Sequence, residues 1–356
     1  MVADFNGAFD GDVHPAAPGM QQLLPFLDDH WRDMMVSRGT DGLDLRSYPL
    51  NSPLTARADW REEGVKPGAS LTNMQRDLLD RYKLGYATLN CLYGGSALYN
   101  GDLSAVLCTA VNDWLAKEWL ERDARLRASI VLPTHNPTLA AEEIERRAGD
   151  NRFIQALMLV QQEVPLGRRS LWPIYAAAEK HDIPIAIHAG SMYRTPTTSL
   201  GWPSFVVEEY VGQAAAFQHQ LLSMLVEGVF TKFPKLKVVL TESGFTWLPY
   251  FMWRAHKTWI ALRTEIPWVE RSPMEVIRQN VRVTLQPSDA PPTPAELTRI
   301  CEQLGSDDML LFSTDYPHWQ FDGDNVLPEG IPSSFLQKLK LDNALATYPR
   351  LKELVA

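Results

Sequence analysis

The chain has 356 residues, with 34 Lys and Arg against 43 Asp and Glu, so its formal net charge is −9. At 45 % hydrophobic and 22 % charged it has the composition of a globular protein long enough to bury a large core. The acidic balance argues against a general nucleic-acid binder, which needs a basic face to displace counterions, and no apolar run approaches the roughly 18 residues of a membrane span.

Short β-branched runs alternate with amphipathic helical stretches along the chain. The predicted strands are Phe9–Asp12, Tyr86–Leu92, Ala128–Leu132, Ile154–Val160, Ile183–His188, Leu236–Thr241, Val281–Leu285 and Met309–Thr314. The later runs are continuously apolar, as strands covered on both faces must be. Helical patterns fill the gaps at Leu71–Leu84, Ser104–Arg122, Leu139–Arg147, Leu171–His181 and Glu208–Phe230. Repeated strand–helix alternation predicts an α/β fold, a (β/α)8 TIM barrel. A doubly wound open sheet is the alternative, but no glycine-rich phosphate turn follows the first strand. A bare barrel needs about 250 residues, so roughly 100 are insertions. Residues 15–70, after the first strand, and Thr246–Trp268, rich in Trp and Tyr, are the two candidates, expected as lid or interface segments of one domain over 1–356. Cys91, Cys108 and Cys301 are odd in number and lie in apolar or helical contexts. They read as reduced thiols, and with an N-terminus lacking signal-peptide features they predict a cytoplasmic location.

In such a barrel the active site lies at the C-terminal ends of the strands, so the polar residues ending each run carry the chemistry. The first run ends in Asp10-Gly11-Asp12-Val13-His14, which turns Asp12 and His14 to one side. The fifth ends in His188, the sixth in Glu242 and the eighth in Asp315. Each alone is a weak signal, because a His closing an apolar strand is often structural and an Asp before Tyr-Pro can start a turn. Converging on one mouth, two imidazoles and several carboxylates make a site for a divalent metal, with zinc expected first and iron or manganese as alternatives.

The same residues resemble the amidohydrolase superfamily, in its branch around aminocarboxymuconate semialdehyde decarboxylase. The resemblance rests on Asp12-x-His14, the His188-Ala189-Gly190 turn, Phe233-Pro234-Lys235-Leu236-Lys237 leading into Glu242-Ser243-Gly244, and Thr314-Asp315-Tyr316-Pro317-His318. It implies a metal held by Asp12, His14, His188 and Asp315. Two departures stand out. The family's first-strand motif is commonly His-x-His, and its sixth strand usually ends in a His where this chain has Glu242. A carboxylate there can act as a general base, or bind a second metal, but it cannot supply a neutral imidazole.

Glu242 and Asp315 are therefore the candidate catalytic groups. Glu242, His219 and His318 are candidates for a second metal or for partners of the ligands, although His219 in mid-helix reads first as a surface residue. Arg194 is placed to bind a substrate carboxylate, and Tyr93, Trp247 and Trp319 follow strand ends and are candidates to line the pocket. His256 is assigned no role. The leading expectation is a metal-dependent hydrolase or non-oxidative decarboxylase of a small carboxylated substrate. A dinuclear iron or manganese oxygenase using Glu242 as an extra ligand is the alternative. A metal-containing partner subunit is a third, since 11 Trp residues offer apolar interface and suggest a homodimer or pairing with a related chain.

Overall fold

The computed structural model describes residues 5–43, 56–191, 196–318 and 327–355. Strands β1 (Phe9–Val13), β2 (Tyr86–Leu89), β3 (Leu126–Val131), β4 (Phe153–Gln161), β5 (Ile185–Ser191), β6 (Val238–Thr241), β7 (Val281–Thr284) and β8 (Leu310–Leu311) form one parallel sheet in chain order. The sheet curls back on itself. Gly11 N–H donates to Phe312 O at 2.8 Å and His14 N–H to Tyr316 O at 2.7 Å, so β1 meets the β8 segment and the open-sheet alternative is excluded. The result is the (β/α)8 barrel.

All eight predicted strands are present with shifted ends. The second run stops at Leu89, because Asn90 turns its amide into the barrel, and the eighth shrinks to two residues before a loop. The predicted helices form as well, those at 71 and 101 finishing in π-helical turns over Gln75–Asp80 and Ala116–Leu120. Their starts follow ordinary capping chemistry: Asn100 accepts from Leu103 N–H, and Asn136 from Leu139 N–H with Pro137 in the first turn. Most of the Trp-rich stretch is the barrel helix Leu248–Leu262, which follows β6 directly, so it is scaffold and not an appended segment. Of the 15–70 insertion, the described parts hold short helices at Met20–Leu23 and Asp29–Arg38.

The main core packs between sheet and helices. A separate buried cluster of Phe9, Ile154, Val239 and Leu311 near the N-terminal ends of the strands is closed by Tyr348 and Leu351 from the C-terminal segment. Among the described residues, no helix is long and apolar enough to cross a membrane.

Candidate metal centre

Four of the predicted strand-end residues meet at the C-terminal mouth. Asp12 and His14 come from β1 and the residue after it, His188 from β5, and Asp315 from the β8 loop; all four are buried. His14 Nε2 lies 3.3 Å from Asp12 Oδ1 and 3.1 Å from Asp315 Oδ1. His188 Nε2 lies 3.2 Å from the same Asp12 oxygen. The two imidazoles meet edge to face, with centroids 4.9 Å apart.

The far side of each ring is held by backbone. His14 Nδ1 donates to Asn90 O at 3.1 Å, and His188 Nδ1 to Ala189 O at 2.7 Å. With Nδ1 carrying the proton, each neutral ring presents an Nε2 lone pair to carboxylate oxygens. Lone pair facing lone pair is repulsive, so a cation belongs between them. Asp12 Oδ2, buried and without a hydrogen-bond partner, is a further donor awaiting one. Two imidazoles and two carboxylates are a donor set for a first-row divalent metal, and the residues present fit that group.

Glu242 stands beside this set, its Oε2 3.7 Å from His188 Nδ1 and its side chain 12 % exposed. Tyr210, from the helix Val206–Val226, donates its hydroxyl to Glu242 Oε1 at 3.3 Å, and Glu242 N–H donates to Thr284 Oγ1 at 3.0 Å. Glu242 and Asp315 both have φ +58°, a left-handed backbone that non-glycine residues adopt at a cost of order 1 kcal/mol or more. The turn at each strand end is what aims these two carboxylates at the mouth.

Their electrostatics diverge. Burial and the neighbouring Asp315 charge hold the Glu242 carboxyl well above the usual range. Burial opposes the charge on Asp315 too, but the neighbouring His14 and His318 imidazoles outweigh it and hold Asp315 well below. Beneath the site, burial pushes Asp10 up to about 7 although Thr314 and the Asp12 N–H donate to it.

The remaining candidates separate. His318 stacks on His14 at 4.9 Å between centroids, with Nδ1 3.5 Å from Asp315 Oδ1, so it belongs to the group. His219 does not: it is exposed on its helix, beside Arg168 and Glu227 in a surface groove. Tyr93 is buried and packs over Gly95 among Cys91, Ser96 and Val131. Trp247 donates its indole N–H to Ser243 O at 2.9 Å and Gly244 O at 3.1 Å, bracing the loop that carries Glu242. Arg194 and Trp319 lie outside the described residues.

Two contributors escaped the sequence reasoning. Asn90 is fully buried; its Nδ2 donates to Asp12 Oδ1 at 2.8 Å while its carbonyl takes the His14 proton. The signal was there, a polar residue inside the apolar run Tyr86–Leu92. Tyr210 gave none, being one aromatic on a mixed helix.

The chain belongs to the amidohydrolase family, whose model matches residues 9–350. A gamma-resorcylate decarboxylase of Rhizobium sp. (strain MTP-10005) is 28 % identical over 227 residues, covering 59 % of this chain and 65 % of the relative. The chain thus spans about two thirds of the length of such curated relatives. Among solved structures, a dihydroxybenzoic acid decarboxylase from Polaromonas sp. JS666, with bound manganese and 2-nitroresorcinol, aligns at TM-score 0.66 and 21 % identity over 97 % of both chains. A 5-carboxyvanillate decarboxylase from Novosphingobium aromaticivorans, complexed with manganese, aligns at TM-score 0.69 and 18 % identity over 97 % of this chain and 96 % of the other.

Proposed function

We propose that this chain is a metal-dependent, non-oxidative decarboxylase of a small carboxylated aromatic substrate. The observation that carries the reading is the pair of Nε2 lone pairs on His14 and His188 turned onto Asp12 and Asp315, with Glu242 held beside them by Tyr210. The curated and structural relatives named above are decarboxylases, which favours this over hydrolysis; the oxygenase alternative finds no support among them.

Asp12, His14, His188 and Asp315 would hold the cation. When bound, it supplies positive charge that neutralises the substrate carboxylate and stabilises negative charge developing on the ring substituents. Glu242 and Asp315 are the carboxyl groups placed to move the proton. In the balanced reaction a proton adds to the ring carbon bearing the carboxylate. The bond to that carboxylate then breaks, its electron pair returns to the ring and CO2 leaves. The Tyr210 hydroxyl and the Thr284 anchor keep Glu242 aimed during this transfer, and His318 stands beside Asp315, its Nδ1 3.5 Å from Oδ1.

Zinc is the sequence-based expectation for the metal; the manganese in the Polaromonas structure makes manganese the other choice, and this donor set accepts both. A homodimer, or pairing with a related chain, is supported by the exposed Val207, Val211, Tyr250 and Trp253 on neighbouring helices, and a cytoplasmic location goes with the same reading.

The test is incubation of metal-analysed protein with hydroxylated benzoates, following CO2, arene and dissolved oxygen. One CO2 per arene, lost on chelation and restored by zinc or manganese, with no oxygen consumed, is expected. Oxygen uptake, or release of a hydrolysis product without CO2, would overturn the proposal.

A further inference from the structure

A branched line of hydrogen bonds runs through the barrel interior from the C-terminal segment to the metal centre. The Tyr348 hydroxyl donates to Gln155 Oε1 at 2.9 Å. Gln155 Nε2 donates to Asn90 Oδ1 at 3.2 Å and to Ser129 Oγ at 2.9 Å, and that hydroxyl in turn donates to Asn90 Oδ1 at 2.5 Å. Asn90 Nδ2 donates to Asp12 Oδ1 at 2.8 Å. Tyr348, Gln155, Ser129, Asn90 and Asp12 are all buried at 0 % exposure, so water does not compete with any link.

The direction of this line is dictated by chemistry. An ionised carboxylate only accepts, so Asn90 must turn its NH2 to Asp12 and its carbonyl oxygen the other way. Gln155 must then offer its NH2 to that oxygen, leaving its own oxygen for a donor, which Tyr348 supplies. Each amide has one orientation in which every polar atom is used, and reversing either leaves like poles in contact. Bonds aligned head to tail in a dry interior polarise one another. Asn90 is also the residue whose carbonyl fixes the His14 tautomer, so two metal-facing groups hang on one side chain and its backbone.

We propose that Tyr348 is a positioning residue for the metal centre: acting through Gln155 and Asn90, it sets the orientation and donor strength of Asp12 and thereby the affinity for the divalent cation. This rests on the metal-site reading above and extends it to a residue three links away, at the opposite end of the barrel.

The test measures the dissociation constant of zinc and of manganese by titration of the metal-stripped full chain, together with thermal unfolding. Tyr348→Phe keeps the ring in its apolar cluster and removes only the donor; about a 5- to 10-fold weaker metal affinity is expected, at or just below the loss of about 10-fold that removing a ligand's direct supporting partner costs at the least. Leu351→Ala, in the same cluster but with no side-chain hydrogen bond, lowers the melting temperature and leaves the affinity within about twofold of the parent. Asn90→Ala severs the line at Asp12, so adding Tyr348→Phe to it has no further effect on affinity. Gln155→Met, cutting the middle, repeats the loss should Tyr348→Phe fold poorly. The proposal is overturned if Tyr348→Phe binds metal as the parent does, or if its effect adds in full to that of Asn90→Ala. If the parent itself binds neither ion, the metal-site reading falls and this inference falls with it; a parent that binds beside an unaffected Tyr348→Phe refutes the inference alone.

Discussion

Gly68 joins the insertion after β1 to the metal centre through backbone contact alone. It has φ +77°, and a Cβ built on it would lie 2.3 Å from the carbonyl oxygen of His14 and 3.2 Å from Ala16 N, whose N–H donates to Gly68 O at 2.9 Å. In Gly68→Ala the left-handed backbone costs about 1 kcal/mol. Relieving an overlap with backbone atoms adds about 1–3 kcal/mol, as overpacking does elsewhere. The sum is about 2–4 kcal/mol, or a fall of about 3–5 °C in melting temperature for a chain of this size. Gly64→Ala is the control, since Gly64 has φ +75° with nothing within 4 Å of its Cβ, and it isolates the backbone cost. Because the displaced carbonyl belongs to His14, Gly68→Ala should also weaken zinc or manganese binding about 10-fold, as shifts around metal ligands do, whereas Gly64→Ala should not. Calorimetry and metal titration of the two variants check this. Equal melting temperatures and equal metal affinities for both would refute the close contact and the coupling drawn from it.

Three further outcomes are expected. His188→Ala and Asp315→Ala should each lose metal by elemental analysis while keeping the far-ultraviolet circular dichroism of the parent, and His219→Ala should change neither metal content nor turnover, because His219 sits on the outer face of its helix. Tyr210→Phe should lower kcat about 10-fold with KM little changed, since the hydroxyl aims Glu242; an unchanged kcat would remove Tyr210 from the reaction. Asp123 provides a pH-dependent term: burial opposes its charge, but hydrogen bonds from Arg125 and Gln75 outweigh it and hold its pKa at about 2, below the ordinary 3.8. The ionised form is therefore favoured by folding, so its stabilisation is complete above pH 4 and is lost as the pH falls toward 2. The contribution is about 1 kcal/mol after solvent screening. Asp123→Asn should flatten the stability profile across that interval in acid denaturation, and an unchanged slope would show the ion pair to be idle.

The strand ends were legible in the sequence because a parallel strand covered on both faces must be apolar until it leaves the barrel, so the polar residue that stops the run marks the mouth. Asp12, His14, His188, Glu242 and Asp315 were found that way, and the structure places them together. Period alone did not say which helix residues reach the same place. Tyr210 and His219 share one helix nine residues apart, about two and a half turns, so they lie on opposite faces, and only packing decides that the face bearing Tyr210 turns to Glu242. The Trp-rich stretch after β6 reads as an insertion from the chain's surplus length over a bare barrel, yet most of it is the barrel helix Leu248–Leu262, and Trp247 spends its N–H on the loop beside it. The sequence by itself determined the alternation that closes the barrel and the residue types that gather at its mouth. Tertiary structure alone decided the contacts across long loops: Asp10 to Thr314, Asn90 to Asp12, Gly68 to His14. Each joins segments far apart in the chain, and their pairing depends on barrel closure and on the left-handed turns at Glu242 and Asp315, which set side-chain direction after the strand period has ended.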